Sequence, residues 1–423
     1  MNGFKGRPSL YAAAGIAVAL WSAAQGAAAW AEDAPPFATL LRETENAPRP
    51  AESAAEVRRA QGLERQARAR PNPSLGVMTE NVAGSSPYSS FDRAETTMQW
   101  SQPLELGGKR SARIAAGEAG TAAARAKDRD ARIRYAYDLA RAYAAAEIAD
   151  KRIALAEDEV EEGENDLRAA RALVDAGKES RLRALQAESS LNAVRADLET
   201  AKAGRIAALA RLSALAGVED SFTGISAPIL DGAADKAPVT GPVDPTATSS
   251  YAAAQAERDA AAYRLTAERR RTAPDVTVNL GVRRLEYEGA TALVGGVTIP
   301  LRLFDRNGGN IQASTAEVEA ADARLARARF EAQAEARATL AQIDAAEARV
   351  AAAERGLGTA EETYRLARIA YESGKSSLLE LLTARHGLGQ ARGVLLDAQT
   401  ARFEARAELA RLQGRAVTGD MIP

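Results

Sequence analysis

The second half of the chain repeats the first half at a constant spacing. The stretch "SQPLELGGKRSARI" from Ser101 matches "TIPLRLFDRNGGNI" from Thr298, and "RALVDAGKESRLRALQA" from Arg171 matches "RIAYESGKSSLLELLTA" from Arg368. The matched pairs Pro103 and Pro300, Gly177 and Gly374, and Gly217 and Gly414 are each 197 residues apart. Because self-similarity at a fixed spacing is typical of repeated structural units, the chain is predicted to build one unit twice, as repeat 1 and repeat 2.

Large apolar residues recur at every seventh position within each repeat. They are Ile153, Val160, Leu167 and Val174 in repeat 1, and Ile343, Val350, Leu357, Tyr364 and Tyr371 in repeat 2. Small residues such as Ala170 and Ala367 stand three positions after members of this series. Sustained heptads predict coiled-coil helices, and the charged residues at most other positions predict solvated helix faces.

A second helical segment with matched leucines follows each heptad series. These leucines are Leu182, Leu185, Leu191, Leu198, Leu212 and Leu215 in repeat 1, and Leu379, Leu382, Leu388, Leu395, Leu409 and Leu412 in repeat 2. The outgoing helix of repeat 1 would be roughly 100 Å long, since each helical residue adds 1.5 Å. Each repeat is therefore predicted to contain a very long antiparallel coiled-coil hairpin, over about 110–216 and about 307–413.

Two short strand-like segments precede each hairpin. They cover about 74–82 and 95–103 in repeat 1, and about 275–284 and 291–300 in repeat 2. Apolar and polar residues alternate within them: Leu280 and Val282 share one face, and Asn279 and Arg283 share the other. This length and alternation fit membrane strands with an apolar outside and a polar inside. They equally fit a half-buried soluble hairpin.

The N-terminus has the features of an export signal over residues 1–31. Lys5 and Arg7 precede the apolar stretch 10–21, and Ala29-Trp30-Ala31 supplies a small-residue cleavage site before Glu32. The alternative is an uncleaved membrane anchor. The export signal and the charged helices favour the membrane interpretation of the strands. Four strands cannot close a barrel in lipid, so several chains would share one barrel. The absence of cysteine excludes a lipid-anchored N-terminus.

The repeats and the signal divide the chain into five parts. After the signal, repeat 1 covers 32–217, a Gly-, Pro-, Ser- and Thr-rich linker covers 218–250, repeat 2 covers 251–414, and a tail covers 415–423. The linker is expected to run over the surface. The overall fold class is therefore mainly α, with a small transmembrane β part.

Composition excludes several function classes. The net charge of −2 gives no electrostatic footprint for nucleic acid. One histidine, four methionines and no cysteine predict no soft metal site within the chain and no cofactor. His386 is expected to be solvated, and no arrangement of Ser, His and Asp indicates an enzyme.

The tripeptide Gly374-Lys375-Ser376 resembles the end of a phosphate-binding loop. Ile369 stands where that motif requires its first glycine, and the preceding segment is predicted to be helical instead of a strand. Since the Gly-Lys pair recurs as Gly177-Lys178, both sites are predicted to be turns between helices. Ser377 and Glu380 are predicted to form a capping box, which Ser180 with Arg183 cannot form.

The chain resembles the TolC family of bacterial outer-membrane efflux channels over nearly all of the segment after the signal. The stretches "RPNPSLGV", "SQPLELGGKRSARI" and "ALVGGVTIPLRLFDRNGGNI" resemble its heavy-metal (cobalt–zinc–cadmium type) branch. The resemblance implies a homotrimer with one twelve-stranded outer-membrane barrel continued by a periplasmic helical tunnel. It also implies a periplasmic adaptor and a proton-driven inner-membrane pump of the resistance-nodulation-division type, with heavy-metal cations as the exported substrate.

The resemblance assigns roles to the two turns. It implies that they form the periplasmic tip that docks on the adaptor, with contributions from Gly177, Lys178, Ser180, Gly374, Lys375 and Ser377. It also implies an entrance constriction with Tyr371 and Glu380, and Arg183 stands where the family often has an acid. The alternatives are that these residues only make turns and that Glu380 only caps its helix. At the level of the whole chain, the alternatives are a duct for organic drugs and a periplasmic coiled-coil scaffold or adaptor.

Overall fold

A computed structural model of the chain describes residues 32–230 and 243–422. The predicted export signal over 1–31 lies outside the described residues, as does part of the predicted linker, 231–242. The described part contains seven α-helices and four β-strands, which are α1 (Phe37–Glu43), α2 (Pro48–Arg68), β1 (Ser74–Glu80), β2 (Glu95–Leu104), α3 (Lys109–Asp175), α4 (Arg181–Ala216), α5 (Ser249–Arg270), β3 (Val276–Leu285), β4 (Ala290–Thr298), α6 (Gly308–Glu372) and α7 (Leu378–Leu412).

The helices form the two predicted hairpins, α3/α4 in repeat 1 and α6/α7 in repeat 2. The heptad residues Leu167, Val350, Tyr364 and Tyr371 are buried, which confirms that the large heptad positions form the helix contacts. Helix α3 packs against α4 on one side and α7 on the other, and α6 packs against α7. The four long helices therefore lie side by side in the order α4, α3, α7, α6. In the described residues, no helix combines the length and the apolar character that a membrane crossing requires.

The four strands form one antiparallel sheet in the order β1-β2-β3-β4. Trp100 lies opposite Leu75 and Leu280, while Val282 lies opposite Met98 and Leu293. Directly opposed residues share a face of a sheet, so these side chains form one apolar face. All of them are exposed to solvent in the single chain. An exposed apolar face of this size is suited to lipid.

The opposite face of the sheet is polar. Arg283 donates to Glu95 at 2.9 Å and to the Thr97 hydroxyl at 3.0 Å, and its guanidinium lies 3.5 Å from Glu80. Apolar and polar residues thus occupy opposite faces, as the alternation in the sequence predicts. The face that carries Arg283 is the one that would line the inside of a barrel.

A buried apolar cluster joins the end of the hairpins near Gly217 and Gly414 to the flanking segments. It includes Phe37 of α1, Leu139 and Tyr143 of α3, and Ile229 and Leu230. The buried carboxylate of Glu147 accepts hydrogen bonds from the Ile229 and Leu230 amides at 2.7 and 3.0 Å. The predicted surface course of the linker is therefore wrong for these residues, because Glu147 binds their backbone into the core.

Candidate functional site

The two turns between the long helices have the same backbone geometry. Gly177 and Gly374 adopt left-handed φ angles of 67° and 71°, which glycine accepts without steric cost. The Lys178 amide donates to the Leu173 carbonyl at 2.9 Å, and the Lys375 amide donates to the Ala370 carbonyl at 2.8 Å. Together with the bonds from the two glycine amides, these contacts make each turn a Schellman motif. The interpretation as turns is thus confirmed.

The helices that start after the two turns are capped differently. The Glu380 amide donates to Ser377 Oγ at 3.4 Å, and the Ser377 amide donates to Glu380 Oε2 at 3.3 Å. This confirms the predicted capping box of α7. Ser180 makes no side-chain cap bond to α4, and Arg183 instead donates to Gln186 at 3.2 Å.

The other predicted tip residues separate into exposed and buried positions. Lys178, Lys375 and Glu380 are exposed, and Arg183 is half-buried. Tyr371 is only 1 % exposed and packs between the hairpins. Burial raises the pKa of the Tyr371 hydroxyl, with further increases from the charges of Glu179 and Asp166. The charge of Arg183 opposes this increase in the pKa of Tyr371, so the two side chains lie close enough to interact.

A buried ion pair joins the two hairpins roughly 16 Å behind the turns, at 1.5 Å of helix rise per residue. Arg385 of α7 lies 3.3 Å from Asp166 of α3, with side chains 7 % and 3 % exposed. Arg385 also donates to Ser190 of α4. Burial raises the pKa of Asp166 to about 6, although the charge of Arg385 opposes this increase. The prediction that charged residues of the long helices are solvated is therefore wrong for Asp166 and Arg385.

Two glycines provide the space for these charges. A Cβ atom added to Gly163 of α3 would meet Arg385 Nη1 at 2.7 Å, and one added to Gly389 of α7 would collide with the Glu159 carboxylate. Each helix therefore presents a glycine where the partner helix places a charged group. We name the contact of α3 with α7, through Asp166, Arg385 and these glycines, the α3/α7 joint.

Further acids and an arginine extend the α3/α7 joint along the helices. Glu162 lies 3.3 Å from Arg392, and both side chains are largely buried. Burial raises the pKa of Glu162 and also that of Glu159. It likewise raises the pKa of the Tyr364 hydroxyl to about 12, with Asp166 and Glu162 adding to the effect. The joint is thus a line of partly desolvated charges between two hairpins.

A signal for this joint is present in the sequence. Glycine is unfavourable inside a helix, and Gly163 and Gly389 each lie within a few residues of the paired charges. Aligning the repeats also shows that Asp166 corresponds to Thr363, and Arg385 to Glu188. A charge that is absent from the other repeat, as at Asp166, or reversed in it, as at Arg385, marks a difference in surroundings.

An open groove of about 1030 Å³ runs along α6 and α7 in the single chain. Small residues line most of it, including Ala353, Gly356, Ala360, Thr363 and Gly387. Glu380 lies at the end nearest the turns, because it belongs to the first turn of α7. The groove is therefore shaped for a long, closely packed neighbour such as another helix.

The described residues contain no group of three or more His, Asp or Glu side chains arranged to hold a metal ion. His386 is exposed, and its Nε2 lies 3.1 Å from Gln390 Nε2.

A sheet with one exposed apolar face and two long hairpins define a class of membrane protein. Chains of this kind form TolC-like trimeric channels, in which the strands build one outer-membrane barrel and the helices continue it as a periplasmic tunnel. The chain belongs to the outer membrane efflux protein family, whose model matches residues 42–218 and 249–415. It is therefore an outer-membrane efflux channel component and not an enzyme, and the scaffold alternative is excluded.

Curated relatives and solved structures agree with this assignment. The chain is similar to the nickel-cobalt-cadmium resistance protein NccC of Alcaligenes xylosoxydans xylosoxydans, at 40 % identity over 95 % of this chain and 91 % of the relative. It is also similar to the nickel and cobalt resistance protein CnrC of Cupriavidus metallidurans, at 41 % identity over 74 % of each chain. Among solved structures, the outer-membrane channel OprN covers 90 % of each chain with a TM-score of 0.77 at 19 % identity.

Proposed function

We propose that this channel is the outer-membrane duct of a tripartite system that exports heavy-metal cations of the nickel, cobalt and cadmium class. The observation that carries the proposal is the 40 % identity to a nickel-cobalt-cadmium resistance protein over 95 % of the chain. A proton-driven inner-membrane pump of the resistance-nodulation-division type would supply the energy. A periplasmic adaptor would connect that pump to the duct.

Deletion of the gene tests the proposed substrate class. We expect the deletion strain to become sensitive to nickel, cobalt or cadmium, and complementation to restore growth. Zinc, copper, silver and a panel of organic drugs are tested in parallel. Sensitivity to drugs without sensitivity to any metal would assign the duct to drug export instead.

The two turns are the proposed docking site for the adaptor. Gly177 and Gly374 set the turn geometry, Ser180 and Ser377 start the returning helices, and Lys178 and Lys375 extend into solvent. In the trimer, six such turns would form one ring. The exposed lysines would supply cationic contacts for acidic residues of an adaptor, beside the acids Glu179 and Glu380 of the same turns.

Charge reversal tests the docking proposal. We expect Lys178→Glu combined with Lys375→Glu to abolish metal resistance while the amount of trimer on unheated gels stays unchanged. Arg59→Glu, at an exposed arginine of α2 far from the turns, is the control and should keep resistance. Full resistance in the double variant would rule out an essential role for the lysines.

Tyr371, Glu380 and Arg183 are proposed to form the entrance constriction. A ring of Glu380 carboxylates facing the lumen would favour cations. Because glutamine can replace glutamate in a capping box, Glu380→Gln removes the charge and keeps the start of α7. We expect this variant to change cation conductance and selectivity in planar bilayers, and an unchanged channel would show that Glu380 serves only as a cap.

A further inference from the structure

The polar face of the sheet carries charge at one end only. Among the strand residues that the structure places on this face, the charged ones are Glu80, Glu95 and Arg283. All three lie at the end of the sheet farthest from the helices, because β1 ends at Glu80 and β2 begins at Glu95. The helices continue the other end of the barrel into the periplasm. The charged end is therefore the extracellular exit of the channel.

One guanidinium holds both carboxylates. Glu80 and Glu95 lie directly opposite each other on β1 and β2, and like charges in this arrangement are destabilising. Arg283 of β3 lies 2.9 Å from Glu95 and 3.5 Å from Glu80, and the Asn81 side-chain amide donates to Glu95 at 3.4 Å. The three charged side chains are still 27–44 % exposed. Their charges therefore act on the water and ions of the lumen.

Pairing of the strands does not require these acids. At the same height of the sheet, repeat 2 places Leu285 opposite Ala290 across β3 and β4. On the other face, one position away, the hydroxyls of Thr79 and Thr96 lie 3.4 Å apart. Neutral pairs thus join neighbouring strands at this end of the sheet. The two glutamates add charge that strand pairing alone does not need.

Two carboxylates and one guanidinium give this cluster a net charge of −1 in each chain. A trimer would therefore carry a ring with a net charge of −3. Strands about 4.8 Å apart and tilted by about 40° give a twelve-stranded barrel a backbone radius of about 12 Å. Inward side chains bring the charges closer to the axis than that, to about one Debye length, which is about 10 Å at 0.1 M salt. The ring therefore influences every ion that leaves.

We propose that Glu80, Glu95 and Arg283 form a charge collar that sets the ion selectivity of the channel's exit. The two acids make the exit favourable for cations, and Arg283 limits their field by neutralising one of them. A channel conducts only when an ion is attracted strongly enough to enter and weakly enough to leave. The collar deepens the proposed function and rests on it, because a cation-favouring exit is useful to a channel that exports cations.

The reaction rates of an introduced cysteine test the collar, and no native cysteine competes. Ala292 of β4 lies directly opposite Arg283 and is exposed. Purified Ala292→Cys trimer is treated at 0.1 M salt with a cationic or an anionic methanethiosulfonate reagent. The ratio of the cationic to the anionic rate constant reports the local potential. We expect Arg283→Gln to raise this ratio about threefold. Glu80→Gln combined with Glu95→Gln should lower it.

Two further variants guard against a purely structural effect. Arg284→Gln is the matched control, because Arg284 is the next residue of β3 and lies on the apolar face. This variant should leave the ratio at Ala292→Cys nearly unchanged. Arg283→Lys keeps the positive charge and should also keep the ratio. An unchanged ratio in Arg283→Gln, with a native trimer on unheated gels, would overturn the collar.

Distance and salt provide independent checks. Gly296 lies on the same face as Ala292, about 13 Å further along β4, and has room for a side chain. Arg283→Gln should change the ratio at Gly296→Cys much less than at Ala292→Cys. At 1 M salt the Debye length falls to about 3 Å, so the effect at Ala292→Cys should nearly disappear. An effect that persists at 1 M salt would contradict an electrostatic collar.

Failure of the collar and failure of the proposed substrate are distinguishable. The thiol rates report the field in the lumen whatever the channel exports. The metal sensitivity of the deletion strain reports the substrate whatever the field. Metal sensitivity together with unchanged thiol rates would overturn the collar alone. A raised ratio in Arg283→Gln, with a deletion strain sensitive only to drugs, would support the collar and overturn the export of metal cations.

Discussion

The two hairpins share a backbone and differ in what touches them. Both use a left-handed glycine and a Schellman turn, and their helices match to within two residues in length. Hairpin 1, formed by α3 and α4, is covered by α7 through buried charges. Hairpin 2, formed by α6 and α7, leaves an open groove lined by small residues. Repetition thus maintains the backbone, while side chains diverge where each hairpin meets a different neighbour.

The largest expected effect comes from reversing the buried charge that distinguishes hairpin 1. Arg385→Glu would place a carboxylate beside Asp166, and breaking a buried ion pair costs about 3–5 kcal/mol. We expect a large loss of heat-resistant trimer at pH 7.5. Combining Arg385→Glu with Asp166→Arg should restore part of it.

The control for this charge reversal is an exposed pair on hairpin 2. Arg365 pairs with Glu362 on the surface of α6, where solvent screens the charges. We expect Arg365→Glu to leave the trimer nearly unchanged. Equal losses from both reversals would mean that the α3/α7 joint has no special role.

The pH dependence of stability should also distinguish the hairpins, because Asp166 titrates and its counterpart Thr363 does not. Burial raises the pKa of Asp166 from 3.8 to about 6. Between about pH 4 and pH 6, Asp166 therefore keeps its proton in the folded state and loses it in the unfolded state. The resulting contribution to the free energy of unfolding is complete below about pH 4 and is lost as the pH rises through 6.

The size of this pH effect follows from the pKa. At about 1.4 kcal/mol per pKa unit, the full contribution is about 3 kcal/mol. We expect the wild-type thermal midpoint to rise relative to that of Asp166→Asn between pH 7.5 and pH 4.5. Parallel pH profiles of the two proteins would contradict the raised pKa.

The sequence predicts the repeated architecture well because heptads, strand alternation and glycine turns are local or periodic signals. Leu167 and Tyr371 are buried as their heptad positions require, and Ser377 caps α7 with Glu380. The assignment to the efflux channel family is confirmed. The turn residues' docking and constriction roles stay predictions.

The α3/α7 joint could not be derived in the same way. An aspartate or arginine on a long helix is usually solvated. The nearby glycines Gly163 and Gly389 indicate close packing of these helices, but they do not indicate that α3 and α7 are the helices that meet. Burial there depends on tertiary packing between segments about 220 residues apart in sequence. The linker residues Ile229 and Leu230 illustrate the same limit, since their amides are satisfied by the distant Glu147.

Replacing Gly163 of the α3/α7 joint with alanine tests whether α3 and α7 pack closely. Repeat 2 already carries Ala360 at the position of Gly163. The added methyl of Gly163→Ala would meet Arg385 Nη1 at 2.7 Å. Because Arg385 is buried against Asp166, it cannot move aside into solvent, and such overpacking costs about 1–3 kcal/mol. We therefore expect a lower thermal midpoint for the trimer.

Gly358→Ala is the matched control for this substitution. No atom lies within 4 Å of a Cβ added at Gly358 of α6. Alanine favours helix over glycine by up to about 1 kcal/mol, so this variant should be neutral or more stable. A stabilising Gly163→Ala would show that the two helices do not pack closely at Arg385.

The smallest expected effect distinguishes the two hairpins at their turns. Ser377→Ala removes the cap of α7, which typically costs about 1 kcal/mol, whereas Ser180→Ala removes no cap bond from α4. Hydrogen exchange should therefore accelerate about fivefold at the first amides of α7 in Ser377→Ala, and hardly at all in Ser180→Ala. Equal responses of the two helices to their serine substitutions would mean that the caps do not differ in solution.

Arg183→Glu should have the opposite effect on α4. A glutamate at this position can complete a capping box with Ser180, so hydrogen exchange at the start of α4 should become slower.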